Sequence, residues 1–176
     1  MQLCRSLAAA IDRMNEQIGR LVSWLTLAMV LITFGIVMLR YLFDTGWIAL
    51  QESVSYLHAL VFMLGAAYTL KRDGHVRVDI FYQQCSVKTK AWIDLFGSIL
   101  LLLPLAGFML WSCWEYVANA WAIQESSRNS GGLPGVYLLK TAMLIMATQL
   151  ILQGLALIIH KLLVITGKDE RLHQHG

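Results

Sequence analysis

An all-α integral membrane protein with four transmembrane helices is the fold this sequence predicts. Three features lead there: scarce charge, long apolar runs, and no alternation within those runs. Of 176 residues, 57% are hydrophobic and only 14% are charged, against roughly 25% charged in soluble domains. Residues 21–39, 95–114 and 141–159 contain no Asp, Glu, Lys or Arg, and residues 54–70 are interrupted only by His58. Each comes close to the roughly 20 apolar residues a helix needs to cross a bilayer. A membrane β-barrel would instead show shorter alternating segments. We therefore read residues 1–176 as a single membrane domain with spans at about 21–40, 52–70, 92–115 and 137–160, an arm at 1–20 and a tail at 161–176.

The arm places Leu3, Leu7, Ile11, Met14, Ile18 and Leu21 on one helical face, with Arg5, Asp12, Arg13, Glu16 and Arg20 on the others. That pattern predicts an amphipathic helix on the membrane surface; its rival is a plain extension of the first span. The first apolar run exceeds the 7–15 residues of a signal peptide core and lacks a small-residue cleavage site, so it is read as retained. This span ends at Arg40-Tyr41, and the short Asp44-Thr45-Gly46-Trp47 connection predicts an antiparallel hairpin with the second. Arg40, Glu52 and Glu115 are expected at similar depth there, the first two either paired or each snorkelling to water.

Lys71 and Arg72 stop the second span. Beyond it, Gly74 suits a tight reversal, and His75, Arg77 and Asp79 alternate with valines in an expected extended passage. Asp79 is expected to cap a short turn. Ser86 is placed to cap the third span, in which Pro104 removes a backbone bond and favours a bend. The Ser, Asn and Gly of residues 125–135 form the turn before the fourth span.

Orientation follows from the flanking cations. The arm, second loop and tail together hold eleven Lys and Arg, and the first and third loops hold three. Positive charge stays inside, so both termini are expected in the cytoplasm. Cys4 and Cys85 then fall on one side and Cys113 near the other, so no disulfide is expected across the bilayer.

Two polar stripes cross the apolar interior. Gln51, Ser55, His58, Phe62, Gly65 and Thr69 share a face of the second span, and Gln149, Gln153, Ala156 and His160 share one of the fourth. Such residues face protein, and interhelical hydrogen bonding with close packing accounts for both stripes without a transport pathway. No ionised group lies at mid-membrane, which suits an ion-coupled pore poorly. Haem is not expected, because His58 and His160 differ in depth by roughly 26 Å at 1.5 Å per residue. No catalytic constellation, metal cluster, phosphate loop or nucleic-acid footprint is present to support those chemistries.

The run Leu64-Gly65-Ala66-Ala67-Tyr68-Thr69-Leu70-Lys71-Arg72-Asp73-Gly74-His75-Val76-Arg77-Val78-Asp79 resembles the signature of the DctQ-like small membrane subunit of tripartite ATP-independent periplasmic (TRAP) transporters. Arg40-Tyr41 with Trp47 and Gln51-Glu52, and Leu133-Pro134 opening the last span, fit the same resemblance. It implies a bacterial inner membrane protein that assembles with a large membrane subunit holding the substrate and sodium sites. It further implies a periplasmic solute-binding protein, in possible direct contact, and an elevator-type mechanism in which this chain is scaffold. Cofactors and catalysis are not implied. On this reading residues 74–81 form a structural clamp at the membrane surface, and the stripes bearing His58, Gly65, Gln149 and Gln153 are where partner contact is expected. The alternatives are a free-standing four-helix scaffold and a redox membrane anchor.

Overall fold

The computed structural model describes residues 2–74, 82 and 84–167. They form α1 (Gln2–Phe43), α2 (Ile48–Lys71), α3 (Val87–Ala122) and α4 (Val136–Ile165), each long and apolar enough to cross a membrane. Antiparallel α1 and α2 form the hairpin expected from their short connection, and α4 packs against all three other helices. The principal neighbour of α3 is α4. Near the two chain termini, Asp12 of α1 meets His160 of α4, which places both at the same end of the bundle.

No break separates the 1–20 arm from the first span. Both prolines of the chain lie elsewhere, so the backbone runs through 42 helical residues, about 63 Å at 1.5 Å each. That is about twice the hydrocarbon thickness of a bilayer. The extension reading therefore describes residues 2–20 better than a separate surface element does. Its face of Ala8, Asn15 and Val22 is buried, at heptad spacing, whereas Leu3 and Leu7 are exposed.

Helix ends follow local chemistry. Ser86 caps α3 as expected, accepting the Thr89 N–H at 3.2 Å. Inside α3, residues Ser98–Leu102 widen into a π turn in which the Leu103 N–H donates to the Ser98 carbonyl. Pro104 follows directly; lacking an N–H, it cannot continue the ordinary ladder, and a π turn is one way to absorb the mismatch. At the end of α2 the left-handed residue is Asp73 (φ +56°), not Gly74. The Asp73 N–H donates to Leu70 and the Gly74 N–H to Thr69, the paired bonds of a Schellman motif. Space at Gly74 is tight, since a Cβ would lie 3.1 Å from Thr69 Cγ2. The same motif closes α3 with Gln124 (φ +46°) in the left-handed position.

Candidate functional site

The buried polar chemistry gathers in two layers, one at each end of the bundle. At the Lys71 end, Asp12 is central. Its Oδ1 accepts from Gln153 Nε2 at 3.1 Å, its Oδ2 meets His160 Nε2 at 2.9 Å, and its backbone carbonyl accepts from Lys71 Nζ at 2.9 Å. Asn15 Nδ2 donates to Gln153 Oε1 at 2.6 Å, and both side chains are almost completely buried. The stripe of α4 predicted from sequence thus lies in the bundle interior, and its partner is a matching stripe of α1: Ala8, Asp12, Asn15, Gly19 and Val22.

One helical turn along α1, Glu16 receives Lys71 at 2.7 Å and Arg72 at 2.6 Å. Glu16 precedes the apolar run that starts at residue 21. Its carboxyl is held below the usual range, first by the Lys71 hydrogen bond and then by that of Arg72. The Arg72 guanidinium also sits 5.5 Å from the Tyr68 ring centroid. That ring lies across Gly19, where a Cβ would stand 2.4 Å from Tyr68 Cδ2. On the far side of α4, Lys161 bonds Asp94 at 2.5 Å, and the Tyr82 hydroxyl donates to the same oxygen at 2.8 Å. All four long helices are thereby joined at one level.

At the other end the organiser is Glu52. Its Oε1 accepts from Ser127 Oγ and, at 2.8 Å, from Asn129 Nδ2; its Oε2 accepts the Leu133 N–H at 2.7 Å. The 125–135 loop is wrapped on this carboxylate so closely that a Cβ on Gly132 would stand 2.7 Å from Glu52 Oε2. An Arg40–Glu52 pair is therefore not what forms. The loop supplies three directed donors to the carboxylate, and Arg40 stays exposed without an ion pair to any described residue. Beside this hub Lys140 pairs with Glu125 and lies 3.8 Å from the Tyr116 ring centroid. Trp121 Nε1 donates to Thr141 Oγ1 at 2.8 Å, and its ring meets Tyr137 edge-on.

The remaining expected residues fall into four groups. Gln149 is buried, with its Oε1 lacking a partner among the described residues. Along α2 the stripe divides: Gln51, Ser55, His58 and Phe62 are exposed on the bundle surface, while Gly65 faces Val22. A Cβ at Gly65 would meet Val22 Cγ1 at 3.7 Å, an ordinary contact, so the close approach of α1 and α2 depends on Gly19. Trp47 precedes α2 with no capping bond from its side chain and is 62% exposed. His75, Arg77 and Asp79, with the clamp proposed for them, lie outside the described residues.

Sequence reading missed Asp12, Asn15, Glu16 and Gly19, which together define the α1 seam. Their signal was available: Ala8, Asp12, Asn15, Gly19 and Val22 recur at alternating steps of four and three, a polar and small complement to the α4 stripe. Among described residues, no group of three or more His, Cys, Asp or Glu is arranged to hold a metal ion.

Compared with known proteins, residues 29–163 match the family model described as "Tripartite ATP-independent periplasmic transporters, DctQ component". No curated protein and no solved structure matches the chain.

Proposed function

The chain belongs to the DctQ component family of tripartite ATP-independent periplasmic transporters, and from that premise we propose that it is the stationary membrane part of a solute importer. It is a small transporter subunit of the inner membrane, crossing it several times, and its family is not one of enzymes. In our reading it assembles with the large membrane subunit, which holds substrate and coupling-ion sites. The solute arrives on a periplasmic binding protein, and a sodium gradient drives uptake. Both termini, with the Asp12–Gln153–His160 layer, face the cytoplasm, and the Glu52 hub faces the periplasm, as the distribution of Lys and Arg supports.

One observation carries the scaffold role. The polar side chains named in the two layers are spent on holding the chain's own segments together: Asp12, Asn15, Glu16, Gln153 and Asp94 join helices at one end, and Glu52 binds the 125–135 loop to α2 at the other. A cargo pathway needs such groups presented to a cavity between the layers; a support against which a neighbour moves needs them locked. The test is purification of the tagged chain, expressed together with the large membrane subunit of its transporter. Recovery of the two in equal amounts is expected. A chain that purifies without the large subunit, under conditions that keep both folded, would contradict the proposal.

A further inference from the structure

Threonines within the spans return their hydroxyls to their own helices. Thr26, Thr33, Thr69 and Thr148 each donate to the carbonyl four residues earlier, at 2.7–3.2 Å. A hydroxyl satisfied in this way asks nothing of its surroundings. On α1, exposed Thr33 sits among exposed Val30, Leu31, Phe34 and Val37, a face that suits lipid. The outward stripe of α2 is different. Gln51, Ser55 and His58 fall at i, i+4 and i+7; all three are exposed, and their side chains have no hydrogen-bond partner among the described residues.

His58 lies deepest of the three. It interrupts the apolar run 54–70, six residues past Glu52 and thirteen before Lys71, or about 9 and 20 Å along the axis at 1.5 Å per residue. The Glu52 hub and the Lys71 layer mark the two ends of the span, so the imidazole stands between them at hydrocarbon depth. A neutral imidazole carries one donor and one acceptor. Hydrocarbon satisfies neither, and such a residue normally faces protein. A groove of about 680 Å³ runs beside it, lined by His58, Phe62 and Met63 of α2, Tyr116 of α3, and Met143 and Met146 of α4. Met146 is six residues, again about 9 Å, beyond the Lys140 that pairs with Glu125. The groove therefore reaches inward past that interfacial pair.

We propose that this groove receives a transmembrane helix of the large subunit, and that His58 and Ser55 hydrogen-bond to polar side chains, of the Ser, Thr, Asn or Gln kind, on that helix. The inference rests on the reading of the chain as one part of a two-part membrane assembly. Two features select a helix over an acyl chain. The first is complementarity: the unmet donors and acceptors of His58 and Ser55 stand at a depth where lipid tails offer none and a polar helix face offers both. The second is shape. Three helices of the bundle contribute walls, and the methionines among them adapt to the contour of a packed neighbour. Phe62, 73% exposed, continues the stripe one turn beyond His58 and supplies apolar contact beside the polar one. The α1 face around Thr33 offers neither feature.

The experiment uses the full-length chain co-expressed with the large subunit, carrying a photoreactive phenylalanine analogue in place of Phe62 or, for comparison, of Phe34. Position 62 should cross-link to the large subunit, and position 34 should label phospholipid. In parallel, wild-type and variant chains bearing different tags compete for a limiting amount of large subunit. His58→Phe, which keeps a ring and loses the hydrogen bonds, should be under-represented in the purified complex by about threefold or more, while His58→Gln largely holds its share. The melting temperature of isolated His58→Phe should equal that of the wild-type chain, because His58 has no described partner within it. Labelling of phospholipid alone or of a second copy of this chain from position 62, an equal share for His58→Phe, or a lowered melting temperature of that variant would each overturn the inference. The assembly reading itself fails on a different result: absence of the large subunit from the wild-type preparation.

Discussion

Substituting Gly19 by alanine probes the α1–α2 seam at its closest point. The added Cβ would stand 2.4 Å from Tyr68 Cδ2, 2.5 Å from Cγ and 2.9 Å from Cε2, where carbon atoms ordinarily sit about 3.5–4.0 Å apart. The crowded atoms belong to the root of the ring, so rotation of its far end gives no relief. Either Tyr68 leaves its rotamer and its place beneath Arg72, or the two helices separate by about 1 Å. Overpacking of this kind costs about 1–3 kcal/mol, while replacing glycine in a helix returns about 1 kcal/mol. Gly35→Ala isolates the second effect, since nothing lies within 4 Å of its would-be Cβ. The assay is thermal unfolding of purified variants in one detergent. Gly19→Ala should be less stable than Gly35→Ala by about 1–3 kcal/mol, and in the Tyr68→Ala background that difference should largely vanish. Equal melting of the two alanine variants would refute the seam as described.

Three further perturbations follow from the same geometry. Glu52→Ala removes the oxygens that accept from Ser127, Asn129 and the Leu133 N–H, so hydrogen exchange at the Leu133 amide should quicken on the order of tenfold; unchanged exchange would contradict the hub. Asp12→Ala removes the side-chain bonds to Gln153 and His160, and with about 0.6 kcal/mol for a typical intramembrane bond the variant should lose about 1 kcal/mol, measured by unfolding in detergent. Gln124→Gly relieves a left-handed residue at the end of α3 and should raise stability by up to about 1 kcal/mol; a loss would show that the Gln124 side chain contributes more than the backbone strain costs.

How much could be read from sequence differed by kind of feature. Apolar run length identified four helices, and a serine just ahead of the third span identified the cap at Ser86, because both depend on neighbouring residues. Glu52 was noticed as an interfacial charge, but its partners lie 75 to 81 positions away, and no local pattern points from Glu52 to Ser127 or Leu133. Pairing with the nearer Arg40 was one of two readings left open, and the loop's three donors take that place. Gly65 attracted attention as the small residue of the signature, although the tight contact is at Gly19. That depends on which helix face Tyr68 crosses, a pairwise fact absent from either segment alone. In the arm, attention to the leucine face hid the opposite stripe, whose Asp12 and Asn15 answer the glutamine and histidine of α4.

The most direct test of the scaffold account is transport by purified components in sealed vesicles under a sodium gradient. The assay follows the solute that co-purifies with the transporter's binding protein. Vesicles holding this chain alone should take up none, and those holding it with the large subunit and supplied with the binding protein should accumulate it. Uptake by the chain alone would contradict the account.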